Sequence, residues 1–156
     1  MSPAASQPDR ELALAALSRM PDRLEAWTCR LTEEALRRRT ESGGFAPLEH
    51  IWHLAELETV FGTRLARLRD EARPHLADFH GDTAATAGRY LERAAAEGLA
   101  RFRAARTANL AAFAALAESH WLRQGTQEGL GPVTLGDLPG RMMAHDLDHA
   151  STFKGF

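Results

Sequence analysis

Residues 46–72 read APLEHIWHLAELETVFGTRLARLRDEA, and this stretch decides the fold. Pro47 suits a first helical turn, where a missing N–H costs nothing. Leu48, Ile51, Trp52, Leu54, Ala55, Phe61, Leu65 and Leu68 then recur at helical spacing, and the run stops before Pro74. The spacing predicts a long helix from Ala46 or Pro47 to about Ala72, with an apolar stripe that must be covered by other helices.

The rest of the chain supplies them. Leu12, Leu14, Ala15, Leu17, Met20, Leu24, Trp27 and Leu31 predict a helix over Glu11–Leu31, with Pro21 imposing a kink or short break. Thr32–Arg39 predicts one or two helical turns, with Thr32 able to cap. Gly43 and Gly44 place a loop over Thr40–Phe45. Pro74–Thr86 has little periodicity and reads as a long connection. A third long helix is expected over Ala87–Ala117, through Leu91, Leu99, Phe102, Leu110, Phe113 and Leu116. Glu118–Val133, with Gly125, Gly129, Gly131 and Pro132, reads as another loop. Thr134-Leu-Gly-Asp137 resembles a capping box with Asp in place of Glu, so the last helix starts between Thr134 and Asp137 and reaches Phe153. No run alternates as a strand does. The expectation is an all-α fold: a four-helix bundle with long connections, a single domain over 9–156 preceded by a disordered tail over 1–8.

Composition agrees with a soluble globular chain. Of 156 residues, 44% are hydrophobic and 26% charged, enough for one real core. The formal net charge of −2 gives no basic field for nucleic acid or an anionic membrane surface. Of nineteen basic residues all but Lys154 are arginine, which reads as a compositional bias. No segment approaches the roughly 20 apolar residues of a membrane span. The polar start of the chain has no signal-peptide core, and a lone cysteine, Cys29, suits a reducing compartment, so the expected location is the cytoplasm. Cys29 is expected to be buried and inert.

The chemistry lies in the histidines: His50, His53, His75, His80, His120, His145 and His149. His145 and His149 stand four apart on the last helix, so their rings share one face one turn apart. Leu138, Met142 and Phe153 continue that face, which turns it toward the core. Such a pair can hold a metal, as in the HExxH helix of zincins, but Asp146 follows the first histidine where that motif has Glu. An HxxxH pair alone is a weak signal; a third ligand strengthens it. The second long helix offers His50 and His53, with His53 at the border of the apolar stripe beside Leu57 and Val60. His53 lies roughly 9 Å from the start of its helix, and the His145/His149 pair roughly 12 Å from the end of the last helix, at 1.5 Å per residue. If the two helices are antiparallel the three rings come level; if parallel they miss by about 11 Å. The Pro74–Thr86 segment is long enough to cross the bundle, which makes the second and third long helices parallel and lets the last return antiparallel to both. Three neutral imidazoles suit Zn, Ni, Fe or Cu over Mg or Ca, and leave a position open for a water or a substrate thiolate.

With these residues in order, the chain resembles the DinB/YfiT superfamily of small metal-binding four-helix bundles over roughly residues 10–153. Three stretches carry the likeness: Phe45–Glu58 with its His-Leu-x-x-x-Glu58 pattern, Trp121–Gly125 followed by Gly131–Leu135, and His145-Asp-Leu-Asp-His149. The resemblance implies an up-down-down-up bundle, a metal held by His53, His145 and His149, most often Ni or Zn, and a homodimer. His50 has no counterpart role in that pattern. The resemblance also implies a small-molecule substrate. Some relatives use a low-molecular-weight thiol in S-transfer or isomerisation; others are regarded as metal-dependent hydrolases.

Other polar residues have weaker claims. Asp146 and Glu58 are candidates to orient a histidine from behind, and Glu58 for a base or an extra ligand. Trp52 and Trp121 read as core or dimer anchors, and Arg123 as an ordinary surface arginine that could also grip a carboxylate. The functional expectation is a metal-dependent enzyme, a thiol-dependent S-transferase or isomerase or a hydrolase. The alternative is a non-catalytic metal-binding stress-response protein.

Overall fold

The computed structural model describes residues 5–41 and 43–153. Nine elements follow in order: α1 (Gln7–Thr28), α2 (Glu33–Arg37), α3 (Pro47–Asp70), β1 (His75–Leu76), α4 (Gly81–Gly88), α5 (Ala95–Ala114), β2 (Gln124–Gln127), β3 (Gly131–Thr134) and α6 (Leu138–Thr152). The long helices α1, α3, α5 and α6 form the bundle. Among the described residues no helix is long and apolar enough to cross a membrane.

The contacts give the helix pairings. Along α3 and α5, Ile51 and Trp52 lie against Gly98, Glu58 meets Arg106, and Gly62 lies against Asn109, so the two run in the same sense. Gly98 is needed there: a Cβ would come within 2.8 Å of the Ile51 Cγ2. Along α3 and α6, His50 meets His149, His53 meets His145, and Arg64 senses Arg141, so these run in opposite senses. Asp22 and Glu25 of α1 pair with Arg103, and Leu17 with Arg106, which sets α1 against α5 in opposite senses.

Several expectations change. α1 begins at Gln7, where the Ser6 hydroxyl caps the Asp9 N–H, so residues 7 and 8, expected in a disordered tail, are helical; residues 1–4 of that expected tail lie outside the described ones. α1 runs through Pro21 without a break, and Pro21 is buried. The segment expected as a connection over Pro74–Thr86 instead holds β1 and most of α4, and the helix expected over 87–117 is shorter: α5 starts only at Ala95, after a left-handed Arg89 (φ 50°) and a 3₁₀ turn at Tyr90–Glu92. The buried Tyr90 ring packs against Gly88 there. The helical fold stands, but the reading that no run forms a strand is corrected by a small three-stranded sheet, with β1 parallel to β2 and β2 antiparallel to β3. Its strands span two to four residues, too few for alternation to register. The start of α6 combines both sequence readings: Thr134 and Asp137 cap each other across a 3₁₀ turn, and the α-helix proper begins at Leu138 with Pro139 in its first turn. Arg123 is not free for a ligand: it donates to the carbonyls of Leu68 and Glu71 at the end of α3. Cys29 is exposed.

Two apolar clusters fill the bundle. One gathers Leu24, Trp52, Tyr90, Phe102 and Phe153; the other Leu17, Leu68, Phe113, Trp121, Val133 and Met142. At the waist between them sits Arg106, 1% exposed. It donates to both carboxylate oxygens of Glu58 (2.8 and 2.8 Å), to both of Asp146 (2.7 and 3.0 Å), and to the Leu17 carbonyl (3.0 Å). Leu17 is four residues before Pro21, whose missing N–H leaves that carbonyl without its helical donor. Asn109 completes the set by donating to the Glu58 carboxylate and carbonyl.

Removing one side of a buried charge cluster leaves the other side uncompensated. Arg106→Ala is therefore expected to cost about 3–5 kcal/mol of folding free energy in urea titrations, if the protein folds at all. Arg103→Ala, which breaks exposed pairs with Asp22 and Glu25, should barely move the midpoint. Equal effects of the two substitutions would refute the role given to the waist.

Candidate metal centre

The three histidines singled out by spacing come together. His53 is buried on α3, and His145 and His149 are partly buried on α6. One ring nitrogen of each lies within 4.8 Å of the others. The close contacts are His53 Nε2 to His145 Nε2, 3.1 Å, and His145 Nε2 to His149 Nε2, 3.0 Å. Two nitrogens bound to one tetrahedral zinc at 2.0–2.1 Å would stand about 3.3 Å apart, so the spacing suits a shared ion. The remaining histidines lie elsewhere: His75 meets Thr126, His120 accepts from the Ala117 N–H, and His80 is exposed.

His50, set aside on sequence grounds, belongs to this group. Its Nδ1 is 2.6 Å from His149 Nδ1. A hydrogen bond to the Phe45 backbone favours a proton on the His50 ring. With that proton on Nε2, His50 Nδ1 accepts the His149 Nδ1–H, and the lone pair of His149 Nε2 points at its two neighbours. The signal was available in sequence: His50 and His53 lie three apart, one turn of one helix. His53 is held differently. Its Nδ1 is buried without a hydrogen-bond partner among the described residues, and packing fixes the ring: Phe45 and Phe79 lie 5.7 Å away on either count, and a Cβ at Gly81 would come within 2.7 Å of its Cε1.

The two carboxylates expected to support the histidines do something else. Glu58 and Asp146 are both taken by Arg106, and among the described residues neither hydrogen-bonds a histidine. One guanidinium facing two buried carboxylates explains this: it draws both away from any imidazole. Burial alone would lower the Arg106 guanidinium, but the two acids outweigh it and hold it above its ordinary value. Burial also pushes the Asp146 carboxyl up, despite Arg106. Asp146 thus acts on its neighbour His145 through the backbone it anchors.

Burial is the largest influence on the four imidazoles. It brings His50 down to about 4, with His53 adding to the shift, and His145 to about 4 in the same way. His149 falls to about 2, through burial and then His145, and His53 is lowered by burial against the pull of Asp82 and Glu56. All four are therefore neutral near pH 7, the form that offers a lone pair. A cavity of about 270 Å³ opens on His53 and His145, so one side of the cluster is reachable.

The comparisons with known proteins agree with this fold. The profile of the DinB superfamily matches residues 16–153. Among solved structures, the chain is similar to YfiT from Bacillus subtilis, described as a probable metal-dependent hydrolase with an unusual four-helix bundle topology. The TM-score is 0.92 at 15% identity, covering 99% of this chain and 89% of that one. It is also similar to a mycothiol-dependent maleylpyruvate isomerase, with a TM-score of 0.74 at 8% identity, over 91% of this chain and 59% of that one. No curated protein matches by sequence.

The lowered imidazoles carry a pH signature. Between about 6.5 and about 4 the unfolded chain takes up protons at His50 and His145 that the folded chain refuses. Stability of the metal-free protein should thus fall as pH drops through that window, and be fully present above it. Urea midpoints at pH 7, 6, 5 and 4 should show the loss, with a shallower fall in His145→Gln. A wild-type midpoint that stays flat down to pH 5 would contradict the assignment.

Proposed function

The chain belongs to the DinB superfamily, and from that premise we propose that it is a metal-dependent enzyme acting on a small molecule at His53, His145 and His149. The observation that carries this reading is the convergence of three neutral Nε2 atoms beside an open cavity. Nitrogen donors of this kind fit Ni or Zn. A divalent metal held there would act as a Lewis acid, lowering the pKa of a thiol or water in its remaining position. The chain's own residues do the rest. His50 fixes the tautomer and direction of His149, Phe45 and Phe79 pack against His53 and hold its ring, and burial keeps the second, charging proton off all four rings. The reading includes an up-down-down-up order of the four long helices in one domain, which the helix pairings support.

The reaction we propose is S-transfer or isomerisation with a low-molecular-weight thiol, supported by the likeness to the mycothiol-dependent isomerase. Hydrolysis is the second reading, favoured by the likeness to YfiT. The deciding sequence of measurements starts with metal content of untagged protein beside His149→Ala. About one Ni or Zn per chain is expected, lost in the variant. Metal absent from the wild type even after incubation with Zn or Ni would end the proposal. In metal-loaded protein, thiol conjugation to 1-chloro-2,4-dinitrobenzene and ester hydrolysis are then compared before and after chelation. If neither activity depends on metal, and chelation instead unfolds the protein, the metal is structural.

His50→Ala isolates the orienting role. All three proposed ligands remain, so metal should still bind, but about 10–100-fold more weakly in competition with a chromophoric chelator. Unchanged affinity would show that the 2.6 Å contact does not orient His149.

A further inference from the structure

The cavity beside His53 and His145 is lined at its other end by Arg64 of α3 and Arg141 of α6. This placement follows from helix geometry. His53, Phe61 and Arg64 share one face of α3, and Arg141 and His145 stand one turn apart on α6. Both arginines have unused donors. Arg64 is only 6% exposed, donates through Nη2 to the Ala77 carbonyl, and has a buried Nε with no hydrogen-bond partner among the described residues. Arg141 is half-buried and has no hydrogen-bond or ion-pair partner among the described residues. Burial lowers Arg64, and the charge of Arg141 lowers it further, so two cations held this way favour an anionic neighbour. Asp78, also in the lining, offsets one of the two charges.

We propose that the ligand of this cavity carries a carboxylate that seats on Arg64 and Arg141, with its reacting end at His53 and His145. At the arginine end, apart from any metal at the histidines, two cations face one anion, a net charge of about +1, which suits a monoanionic carboxylate at that seat better than a dianionic phosphate. The planar fork of Arg matches a carboxylate, and hydrogen bonds to ionised groups are the strong ones. Leu57 and Phe61 between the two ends call for a short apolar stem. At about 270 Å³ the space takes a compact acid rather than a large conjugate. The position of the reacting end rests on the metal-site reading; the carboxylate seat does not.

The test is titration with propionate, propionamide and inorganic phosphate, followed by NMR, on metal-free and zinc-loaded protein. Wild type is compared with Arg64→Gln and Arg141→Gln. Propionate should bind the wild type about tenfold or more tightly than either variant, and propionamide should not distinguish them. If Arg64→Gln does not fold, Arg141→Gln, at a less buried position, decides. Propionate binding that is equal in wild type and Arg141→Gln, or equal to that of propionamide, overturns the proposal. Tighter binding of phosphate than of propionate overturns the carboxylate assignment. Zinc content of the same samples separates the two readings: Arg141→Gln should keep its zinc, and a wild type that binds no zinc but still discriminates propionate would sink the metal site alone.

Discussion

The Arg106 guanidinium is the constraint on which the arrangement of the helices depends. It lies on α5 and reaches Glu58 on α3, Asp146 on α6 and the Leu17 carbonyl on α1, so one side chain touches all four long helices. Each partner is buried, and a misplaced helix would leave a charge or a carbonyl unpaired in a dry interior, at a cost of several kcal/mol. Apolar surfaces tolerate sliding; this cluster does not. The two apolar clusters above and below it supply bulk stabilisation, while the waist sets register.

That register is what the histidines require. Glu58 lies five residues from His53, and Asp146 is next to His145. With both acids fixed on one guanidinium, α3 and α6 hold His53 Nε2 and His145 Nε2 at 3.1 Å. A shift of one residue along either helix would move its ring by 1.5 Å and turn it by 100°. Pro21 belongs to the same device. In most helices an interior proline is a loss; here the carbonyl it frees is an acceptor for the central arginine.

The sequence made the long helices legible because their apolar stripes persist over several turns, and it made His145 and His149 legible because four residues is one helical turn. The level of His53 followed from rise per residue once the long connection was taken to set the two helices antiparallel. What stayed hidden has a common physical cause: it depends on partners far along the chain. Arg106 is one of many arginines, and nothing local distinguishes it from Arg103, which is exposed. Glu58 and Asp146 were read as supports for histidine because they sit beside histidines in sequence, whereas a cation on another helix claims them. The sheet was invisible because strands of two to four residues carry no period, and Gly81 because its value lies in touching a ring 28 positions away.

His50 shows how the centre's two demands are met together. Four imidazoles with ring centroids as close as 4.3 Å would repel if protonated, and burial already disfavours the charge. Each neutral ring still carries one proton, which must be kept off the nitrogen facing the others. For His149 the partner is a fourth histidine: with the His50 proton on Nε2, His50 Nδ1 accepts from His149 Nδ1–H across 2.6 Å and leaves Nε2 of His149 bare. A carboxylate in the position of His50 could do the same, but it would place a second buried negative charge beside Glu49, which is 2% exposed and already paired with Arg39. A neutral acceptor achieves the orientation without that cost. The choice of histidine over aspartate behind His149 is therefore tied to the buried acid that already stands next to it on α3.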